Sequence, residues 1–497
     1  MADYMKRVVS GAAFLFVFNV FGAGFSYLLR FLMTSNLTPT DYALFWSCFS
    51  LISLLMIFSD FGLMHSQIYH VSKFRAEKKY PELRSAIATG FAMQLVLGVI
   101  FASIVILFSG QIASSYLSQY PNYELSVFLI RVLALGAFMN VFLNVLVSVF
   151  QGMQRMRTTA IFEFTRLFLW FSLTGVFLYF GFSTASPAFG FLAGYILMTF
   201  IYAVPAMKLI PKGKFQVDPK IARQLYTYGL PVMVSLAIGY IINYTDTIML
   251  NVFRMTPASI GFYQTAQPTA TLLWFFSGAL ITVLFPMIAE MNAKDKTAIS
   301  QGLNLIYRYI WLAVVPAALI TFSFSAEILG IIFGPAYAAG SNVLKILSIG
   351  AIMFSVTQIN GAVLNGLGKP DGYRDVVFRG AIINVILNMM LIPVFGIEGA
   401  ALSTLFCYSV ILVGSFYELR KSVKPKIPVK SWLKTLLAGS VALGALYLAK
   451  GLAYPSVYLK IIAGFAVFGA VYGILALLMG LITIEEILDL AKKAVSK

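Results

Sequence analysis

The stretch Leu37–Phe45 reads LTPTDYALF, and it has a counterpart 218 residues further along the chain, where Met255–Tyr263 reads MTPASIGFY. The Thr-Pro pairs of the two stretches coincide. A second pair of segments, Arg131–Arg155 and Lys345–Lys369, matches at a shift of 214 residues and aligns glycines, a methionine and basic residues. Two blocks with nearly the same shift indicate an internal repeat, so we expect a fold built from two copies of one unit.

The chain that carries this repeat is strongly hydrophobic. Hydrophobic residues make up 60% of the 497 residues, charged residues only 11%, and the mean hydropathy is +0.86. A soluble protein could not hydrate such a surface, so we assign an all-α polytopic membrane protein. Most of its apolar segments are long enough to cross a hydrocarbon layer of ~30 Å at about 1.5 Å per residue. We assign fourteen transmembrane helices: 8–33, 42–64, 86–109, 126–150, 158–181, 187–209, 225–250, 260–288, 303–323, 341–366, 376–394, 397–418, 432–450 and 457–482.

Basic residues are concentrated in alternate connections. The connections 65–85, 208–224 and 418–431 each carry five Lys or Arg side chains, whereas the connections on the other side of the membrane offer only Arg254 and Lys450. The positive-inside rule therefore predicts that the basic connections and both termini are cytoplasmic. The basic residues that produce the net charge of +17 lie mostly at the ends of spans. It indicates membrane topology and anionic lipid contact, and we expect no nucleic-acid partner.

The two copies of the repeat lie six spans apart, and an even number means that both cross the membrane in the same direction. A parallel repeat predicts two six-helix lobes related by a pseudo-twofold axis along the membrane normal, with a cleft that opens to either side as the lobes rock. We assign an N-lobe to residues 1–210 and a C-lobe, preceded by a cytoplasmic linker helix, to residues 211–421. Residues 422–497 hold spans 13 and 14 and an amphipathic helix that a capping box of Thr483 and Glu486 begins.

Three stretches carry a family resemblance: LTPTDYALF, FQGMQRMR at Phe150–Arg157 and LNGLGKPD at Leu364–Asp371. With the two lobes and the added pair of spans, they resemble the multidrug/oligosaccharidyl-lipid/polysaccharide flippase superfamily, and within it the polysaccharide-transport (oligosaccharide repeat-unit) flippases. The resemblance implies a flippase that moves a polyprenyl-(di)phosphate-linked oligosaccharide from the cytoplasmic to the outer leaflet of the cell membrane. Membrane lipids and polysaccharide-assembly proteins are the other partners that it implies. Related multidrug extruders typically have twelve spans and lipid II flippases fourteen, so the extra pair favours a lipid-linked substrate.

Basic side chains within the spans are candidates for binding the anionic headgroup that this resemblance implies. They are Arg30, Arg131, Lys345 and Arg308. The first three lie toward the predicted outer side, and Arg308 lies near the inner mouth of span 9. Arginine suits phosphate because it offers paired donors. The alternative is that these long side chains reach the membrane surface by snorkelling.

Carboxylates and amides within the spans form a second set of candidates. Asp60 and Asp246 could each bind a coupling proton or Na⁺, or could pair with a basic neighbour. Amides both donate and accept hydrogen bonds, so they suit sugar hydroxyls, although the same groups also join helices. The amides in question are Asn19, Asn144, Gln358 and Asn360. The two cysteines lie in apolar runs, and we expect no metal site and no cofactor.

Two other functions stay open at this point. A multidrug or organic-cation antiporter of the same superfamily would need an acidic, aromatic cavity, whereas these spans hold more Arg and Lys than Asp and Glu. A membrane polysaccharide polymerase or ligase would need catalytic residues in sizeable external loops, and the predicted external loops are short. We therefore predict a transporter and not an enzyme. Because no nucleotide-binding motif is present, an ion gradient, the membrane potential or product removal is expected to drive it.

Overall fold

A computed structural model describes residues 2–275, 277, 278, 281, 296–483 and 486, and among these it describes all side chains except those of 2–17, 19 and 296–298. Every regular element in this part of the chain is helical. The α-helices are α1 (Ala2–Asn36), α2 (Pro39–Leu55), α3 (Ile57–Asp60), α4 (Leu63–Ala76), α5 (Tyr80–Leu107), α6 (Ser109–Tyr116), α7 (Tyr123–Gly152), α8 (Met156–Tyr179), α9 (Ser186–Leu209), α10 (Pro219–Val252), α11 (Pro257–Thr271), α12 (Lys296–Ser323), α13 (Ser325–Phe333), α14 (Ser341–Gly366), α15 (Pro370–Arg420), α16 (Val429–Lys450) and α17 (Val457–Leu478). Short 3-10 helices occupy Ser183–Ala185, Leu272–Trp274 and Pro335–Gly340.

The Thr-Pro pair of the repeat works as a helix start. The Thr38 hydroxyl accepts a hydrogen bond from the Asp41 N–H at 3.1 Å, and Pro39 occupies the first turn of α2, where an intrahelical N–H is not needed. Asp218 and Pro219 begin α10 in the same way, with the Asp218 carboxylate accepting from the Lys220 N–H at 2.8 Å. The position at which each of these helices begins is therefore determined by neighbouring residues.

Eleven of the described helical segments are long and apolar enough to cross a membrane. The total of fourteen spans stays a prediction, because α1 and the segment that follows α11 are only partly described. The capping box is confirmed: the Thr483 N–H donates to the Glu486 carboxylate at 2.9 Å, and the Glu486 N–H donates to the Thr483 hydroxyl at 3.2 Å. The predicted amphipathic helix beyond it lies outside the described residues.

Three predicted boundaries differ from the structure. Span 2 is not one helix, because Phe61 and Gly62 adopt left-handed backbone angles (φ 49° and 71°), which an α-helix cannot propagate. The linker helix and span 7 are instead one helix, α10, which Pro231 does not end. Spans 11 and 12 follow each other within α15 without a loop, and Gly396 (φ 57°, ψ −131°) supplies the bend between them.

Contacts divide the chain into two compact units. Unit 1 comprises Met1–Gln264 and Val385–Ala400. Its centre is α7, which packs against α2, α4, α5 and α9 and buries one face completely. In the same unit, α1 packs against α8 through edge-to-face contacts of Phe25 with Phe164 and Phe168. The first helix of the predicted C-lobe, α10, also belongs to unit 1, where it packs against α2, α4 and α5.

Unit 2 comprises Thr265–Asn384 and Ala401–Lys497. In it α12 packs against α14 and α16, and α16 packs against α17. The largest described core cluster of this unit is apolar and lies between α12, α14 and the end of α15: Ile299, Leu303, Tyr307, Ile310, Val314, Val356, Ile359, Val363, Leu364, Leu367, Leu419 and Val423. The lobe limits at residues 210 and 421 stay a prediction.

Candidate functional site

Arg30, near the end of α1, is held on three sides in unit 1. Its Nη1 donates to the Tyr42 hydroxyl at 3.0 Å and to the Gln264 backbone carbonyl oxygen at 2.8 Å, and its guanidinium carbon lies 3.7 Å from the centroid of the Trp46 ring. Tyr42 and Trp46 are both buried. Two acceptors and an aromatic face fix the plane of the guanidinium group, so its orientation does not depend on a ligand.

The opposite edge of this guanidinium is open. In the part of the chain that the structure describes, its Nε and Nη2 donors have no acceptor. Adjacent Nε–H and Nη2–H groups are the pair through which arginine binds a phosphate or carboxylate by two parallel hydrogen bonds. Arg30 can therefore bind an anionic group while it keeps its present contacts.

Asp246, on α10, is the most deeply buried of the candidate carboxylates, with 1% of its surface exposed. Its Oδ2 accepts a hydrogen bond from the Tyr263 hydroxyl of α11, and its Oδ1 accepts one from the Asn388 amide at 2.7 Å. Neutral donors on both oxygens stabilise a carboxylate that cannot reach water. This arrangement can hold a negative charge, a proton or a cation within the membrane-spanning part of unit 1.

Two successive residues of α11 contact the two charged groups: Tyr263 donates to Asp246, and Gln264 accepts from Arg30. Thr247 follows Asp246 on α10, and Gln264 follows Tyr263 on α11. The Gln264 side-chain amide donates to the Thr247 hydroxyl, while its backbone carbonyl accepts from Arg30. The two charged residues therefore have partners that are adjacent in α11.

Several residues of this cluster were not predicted as site residues from the sequence: Tyr42, Trp46, Tyr263 and Asn388. Tyr42 lies inside the LTPTDYALF stretch and Trp46 directly follows it, so the repeat was the available signal for the first two. Tyr263 ends the matching MTPASIGFY stretch. Asn388 lies in an apolar run, and no local pattern marks it.

Asp60 lies at the end of α3, where span 2 is broken. A single oxygen, Oδ1, accepts hydrogen bonds from the Met64 N–H at 3.1 Å, the Gln94 amide at 3.1 Å and the Asn144 amide at 3.3 Å. Gln94 also donates to Gln67 at 3.2 Å, and both glutamines are fully buried. The predicted site residues Asp60 and Asn144 are thus brought together, in a cluster that α3, α4, α5 and α7 supply.

The broken segment of span 2 touches α10 through backbone atoms. A Cβ atom placed on Gly62 would overlap the Gly229 carbonyl oxygen, and one placed on Gly229 would lie 2.9 Å from the Phe61 carbonyl oxygen. Only glycine permits two backbones to approach so closely. Span 2 of the predicted N-lobe and span 7 of the predicted C-lobe are therefore in direct contact within unit 1.

Side chains beside these glycines extend the contact toward the end of the spans that is predicted to be cytoplasmic. The Ser66 hydroxyl donates to the Leu225 carbonyl at 2.8 Å. The Tyr69 and Tyr228 rings are stacked, with centroids 4.5 Å apart and an angle of 10° between their planes. Both contacts join α4 to α10.

Arg131 occupies a different place from Arg30. Its Nε donates to the Ser109 hydroxyl at 2.9 Å, and its exposed guanidinium lines a cavity of about 580 Å³ at the start of α7, beside Tyr123, Glu124 and Phe128. No described contact joins it to the Arg30 cluster. Its repeat mate Lys345, in unit 2, is half-buried and lies 3.4 Å from the Asn342 side-chain oxygen.

Arg308 contacts the segment of the chain that follows α17. Its Nε and Nη2 donate to the Leu481 carbonyl at 3.0 Å and 2.6 Å, and its Nη2 lies 3.3 Å from a Glu486 carboxylate oxygen. In this arrangement Arg308 ties α12 to the segment that follows α17. Its role as a phosphate ligand stays a prediction.

The remaining predicted amides have different surroundings. Asn360 is fully buried, accepts from the Tyr307 hydroxyl and donates to the Ser415 hydroxyl at 2.9 Å, so it joins three helices of unit 2. Gln358 is half-buried, and no hydrogen bond is described for its side chain. The Asn19 side chain lies outside the described residues. No group of three His, Cys, Asp or Glu side chains suited to a metal ion occurs in the described ranges.

Two relatives are similar along most or all of their length. An uncharacterised membrane protein of Methanocaldococcus jannaschii is 28% identical over 510 residues, which cover 100% of both chains. The probable low-salt glycan biosynthesis flippase of Haloferax volcanii is 28% identical over 398 residues, which cover 80% of each.

Solved structures share the fold. The lipid II flippase MurJ in an inward closed conformation superposes with a TM-score of 0.77 at 16% identity, over 95% of this chain and 99% of that one. An inward-facing multidrug resistance MATE transporter of the MOP superfamily superposes with a TM-score of 0.65 at 17% identity, over 87% and 96%. The chain therefore has the helical, membrane-spanning transporter fold of these proteins.

A family of known proteins matches the chain directly. The match is to the polysaccharide biosynthesis protein family and spans residues 32–342, which include α2 to α12 and the Arg30-binding residues Tyr42, Trp46 and Gln264. Because this range is more than half of the sequence, the chain belongs to the polysaccharide biosynthesis protein family.

Proposed function

We propose that this protein is a flippase that carries a polyprenyl-(di)phosphate-linked oligosaccharide from the cytoplasmic to the outer leaflet of the cell membrane, by alternating access between two lobes. The family match, the flippase of Haloferax volcanii and the fold of MurJ support a lipid-linked oligosaccharide flippase at the level of the family. The observation that supports a phosphate-containing substrate is the edge of Arg30 whose Nε and Nη2 donors have no described acceptor.

The phosphate of the substrate is the part that Arg30 would bind. Two donors on one edge match two phosphate oxygens, and the buried Tyr42 and Trp46 hold that edge in place before the substrate arrives. Preorganisation of this kind favours binding because little side-chain freedom is lost. Arg131 and Lys345 are further candidates for the same headgroup, and Asn144, Gln358 and Asn360 for the sugar hydroxyls.

The driving force in this proposal is an ion gradient, the membrane potential or product removal. Asp246 and Asp60 are the candidate sites for a coupling ion, H⁺ or Na⁺, because both carboxylates lie within predicted spans. The protein acts in this proposal as a transporter without catalytic residues or a cofactor. Both termini face the cytoplasm, and polysaccharide-assembly proteins supply and consume the substrate.

A multidrug or organic-cation antiporter is the second candidate. Asp246 favours it, because an organic cation could bind a buried carboxylate that lies beside an aromatic ring, in place of the hydroxyl that now donates to it. Against it, Asp246 is enclosed by its own donors, whereas the open donor edge of Arg30 suits an anion.

Reconstitution of the full chain into liposomes separates the two. Fluorescent polyprenyl-diphosphate oligosaccharide is placed in the inner leaflet, and its arrival in the outer leaflet is scored by an added glycosidase. We expect transfer by the wild type, a loss of transfer in Arg30→Met, and unchanged transfer in the matched control Arg374→Gln, an exposed arginine paired with Asp371 and Asp375. Transport of ethidium without transfer of the lipid would overturn the proposal in favour of the antiporter.

A further inference from the structure

Asp60 is a carboxylate within a predicted span, and the described residues provide no counter-charge for it. No ion pair to a Lys, Arg or His side chain is described for it. Tyr240 of α10 is a titratable side chain near it. An unpaired charge in a membrane span is unfavourable and generally marks a functional group. The question is therefore which species Asp60 binds.

The groups around Asp60 point to a proton and not to a metal ion. The hydrogen bonds from Met64, Gln94 and Asn144 are all donated by N–H groups and all end on Oδ1, and the further contact from the Gly62 backbone is also an N–H donor. A metal ion would need oxygen atoms in those positions. A proton can instead bind Oδ2 and leave the three hydrogen bonds to Oδ1 in place, because the carbonyl oxygen of a carboxylic acid still accepts.

A buried acceptor is also available in the same cluster. The Gln94 Oε1 atom is buried and has no donor among the described residues. Buried polar atoms rarely stay unsatisfied, so an unpaired acceptor beside a carboxylate is a site where an added O–H group gains a hydrogen bond. The fully buried Gln67, which Gln94 contacts, holds this amide in the cluster through bonds to the α5 backbone.

Asp60 also sits next to the part of span 2 that touches α10. Its Oδ1 accepts from Met64 in the first turn of α4, so the carboxylate caps that helix directly after the left-handed pair Phe61 and Gly62. A charged acceptor forms stronger hydrogen bonds than a neutral one. Protonation therefore weakens the cap at the same break whose Gly62 lies against Gly229.

We propose that Asp60 is a proton-binding site, that Gln94 and Asn144 orient its carboxyl group, and that its protonation loosens the contact between the Phe61–Gly62 break and α10. The proton comes from water on one side of the membrane, forms an O–H bond at Oδ2 and returns to water on the other side, and no electrons are exchanged. The transport role of this step rests on the proposed flippase function, whereas proton binding itself does not.

Infrared difference spectroscopy on the full-length protein tests proton binding without any substrate. Acidic minus alkaline spectra are expected to contain a carboxylic acid C=O band of a buried group, in sodium-free and in sodium-containing buffer alike. The band is lost in Asp60→Asn, kept at a shifted position in Asp60→Glu, and unchanged in the control Asp371→Asn, whose side chain is exposed. A full band in Asp60→Asn, or a pH-independent spectrum that changes only with Na⁺, would overturn the proposal.

A transport measurement tests the coupling separately. If one proton moves with each substrate, a gradient of one pH unit changes the distribution of the lipid between leaflets about tenfold. We expect this response in the wild type and its loss in Asp60→Asn. Flipping without the infrared band refutes the proton site alone, whereas the band without any flipping refutes the proposed function alone.

Discussion

Gly62 and Gly229 bring the backbones of the broken span 2 and α10 together without a side chain between them. The contact joins two helices that the internal repeat assigns to different lobes. Under the alternating access proposed above, a contact between helices of different predicted lobes is expected to form and open in each cycle. Gly62 is also left-handed, so the same residue provides both the break and the close approach.

Alanine at either glycine should weaken this contact. In Gly62→Ala the left-handed conformation alone costs about 1–2 kcal/mol, and the added methyl group overlaps the Gly229 carbonyl. We expect a lower midpoint of thermal unfolding in detergent and slower flipping for both variants. The matched control is Gly239→Ala on the same helix α10, where a Cβ atom meets nothing within 4 Å. Equal unfolding midpoints for Gly62→Ala and Gly239→Ala would contradict this account.

Replacement of Arg30 by lysine should impair transport although the charge is kept. Lysine has one point charge, so it cannot offer two parallel donors to phosphate while it also contacts Tyr42 and the Gln264 carbonyl. The loss of hydrogen bonds to a charged group corresponds to about 1.5–3 kcal/mol, or roughly tenfold to a hundredfold in flipping rate. Initial rates of transfer of the lipid-linked oligosaccharide measure it. Normal rates in Arg30→Lys would show that a positive charge suffices.

The Asp246 site makes a prediction about stability. Tyr263→Phe and Asn388→Ala each remove a donor from a carboxylate that is almost completely buried. A buried acceptor that loses its partner costs about 1–3 kcal/mol, so both variants should unfold at a lower temperature than the wild type. Tyr179→Phe, at a side chain that is 88% exposed, is the control for loss of a phenolic hydroxyl. Unchanged midpoints in both variants would argue that water replaces the lost donors.

Local sequence patterns predicted the parts of this fold that depend on neighbours in the chain. The capping box of Thr483 and Glu486 uses residues three positions apart, and their side-chain chemistry determines it. Long apolar runs predicted most helices for the same reason. The pairing of repeat segments included Tyr263 in the matching stretch, but it did not mark Tyr263 as a site residue.

Partners that are distant in sequence could not be predicted in this way. Arg30 and Gln264 are 234 positions apart, and Asp246 and Asn388 are 142 positions apart, so only the packing of helices brings them together. The break after Asp60 was also missed. Phe61 rarely adopts a left-handed conformation, and the segment around it is apolar, so the sequence resembles an ordinary span. The close approach of the Gly229 backbone to this break is a tertiary contact, which no local pattern reveals.

The segment after α17 should detach from α12 in acid. Glu486 accepts from the Thr483 N–H at 2.9 Å and faces Arg308 at 3.3 Å, and these two contacts hold the pKa of the Glu486 carboxyl below its usual value because both favour the charged form. Such a group stabilises the folded state above its unfolded pKa, and the contribution is lost as the pH falls through the lower, folded pKa.

Limited proteolysis of the C-terminal segment as a function of pH measures this attachment. Wild-type protein should be protected at neutral pH and cleaved faster once the pH falls below the folded pKa of Glu486. Glu486→Gln should be cleaved at the faster rate at every pH, because the amide carries no charge for Arg308 to attract. Glu124→Gln, an exposed carboxylate in unit 1, serves as the control and should follow the wild type. A Glu486→Gln protein that stays protected at every pH would assign the attachment to the Leu481 carbonyl bonds of Arg308 alone, because those bonds do not titrate.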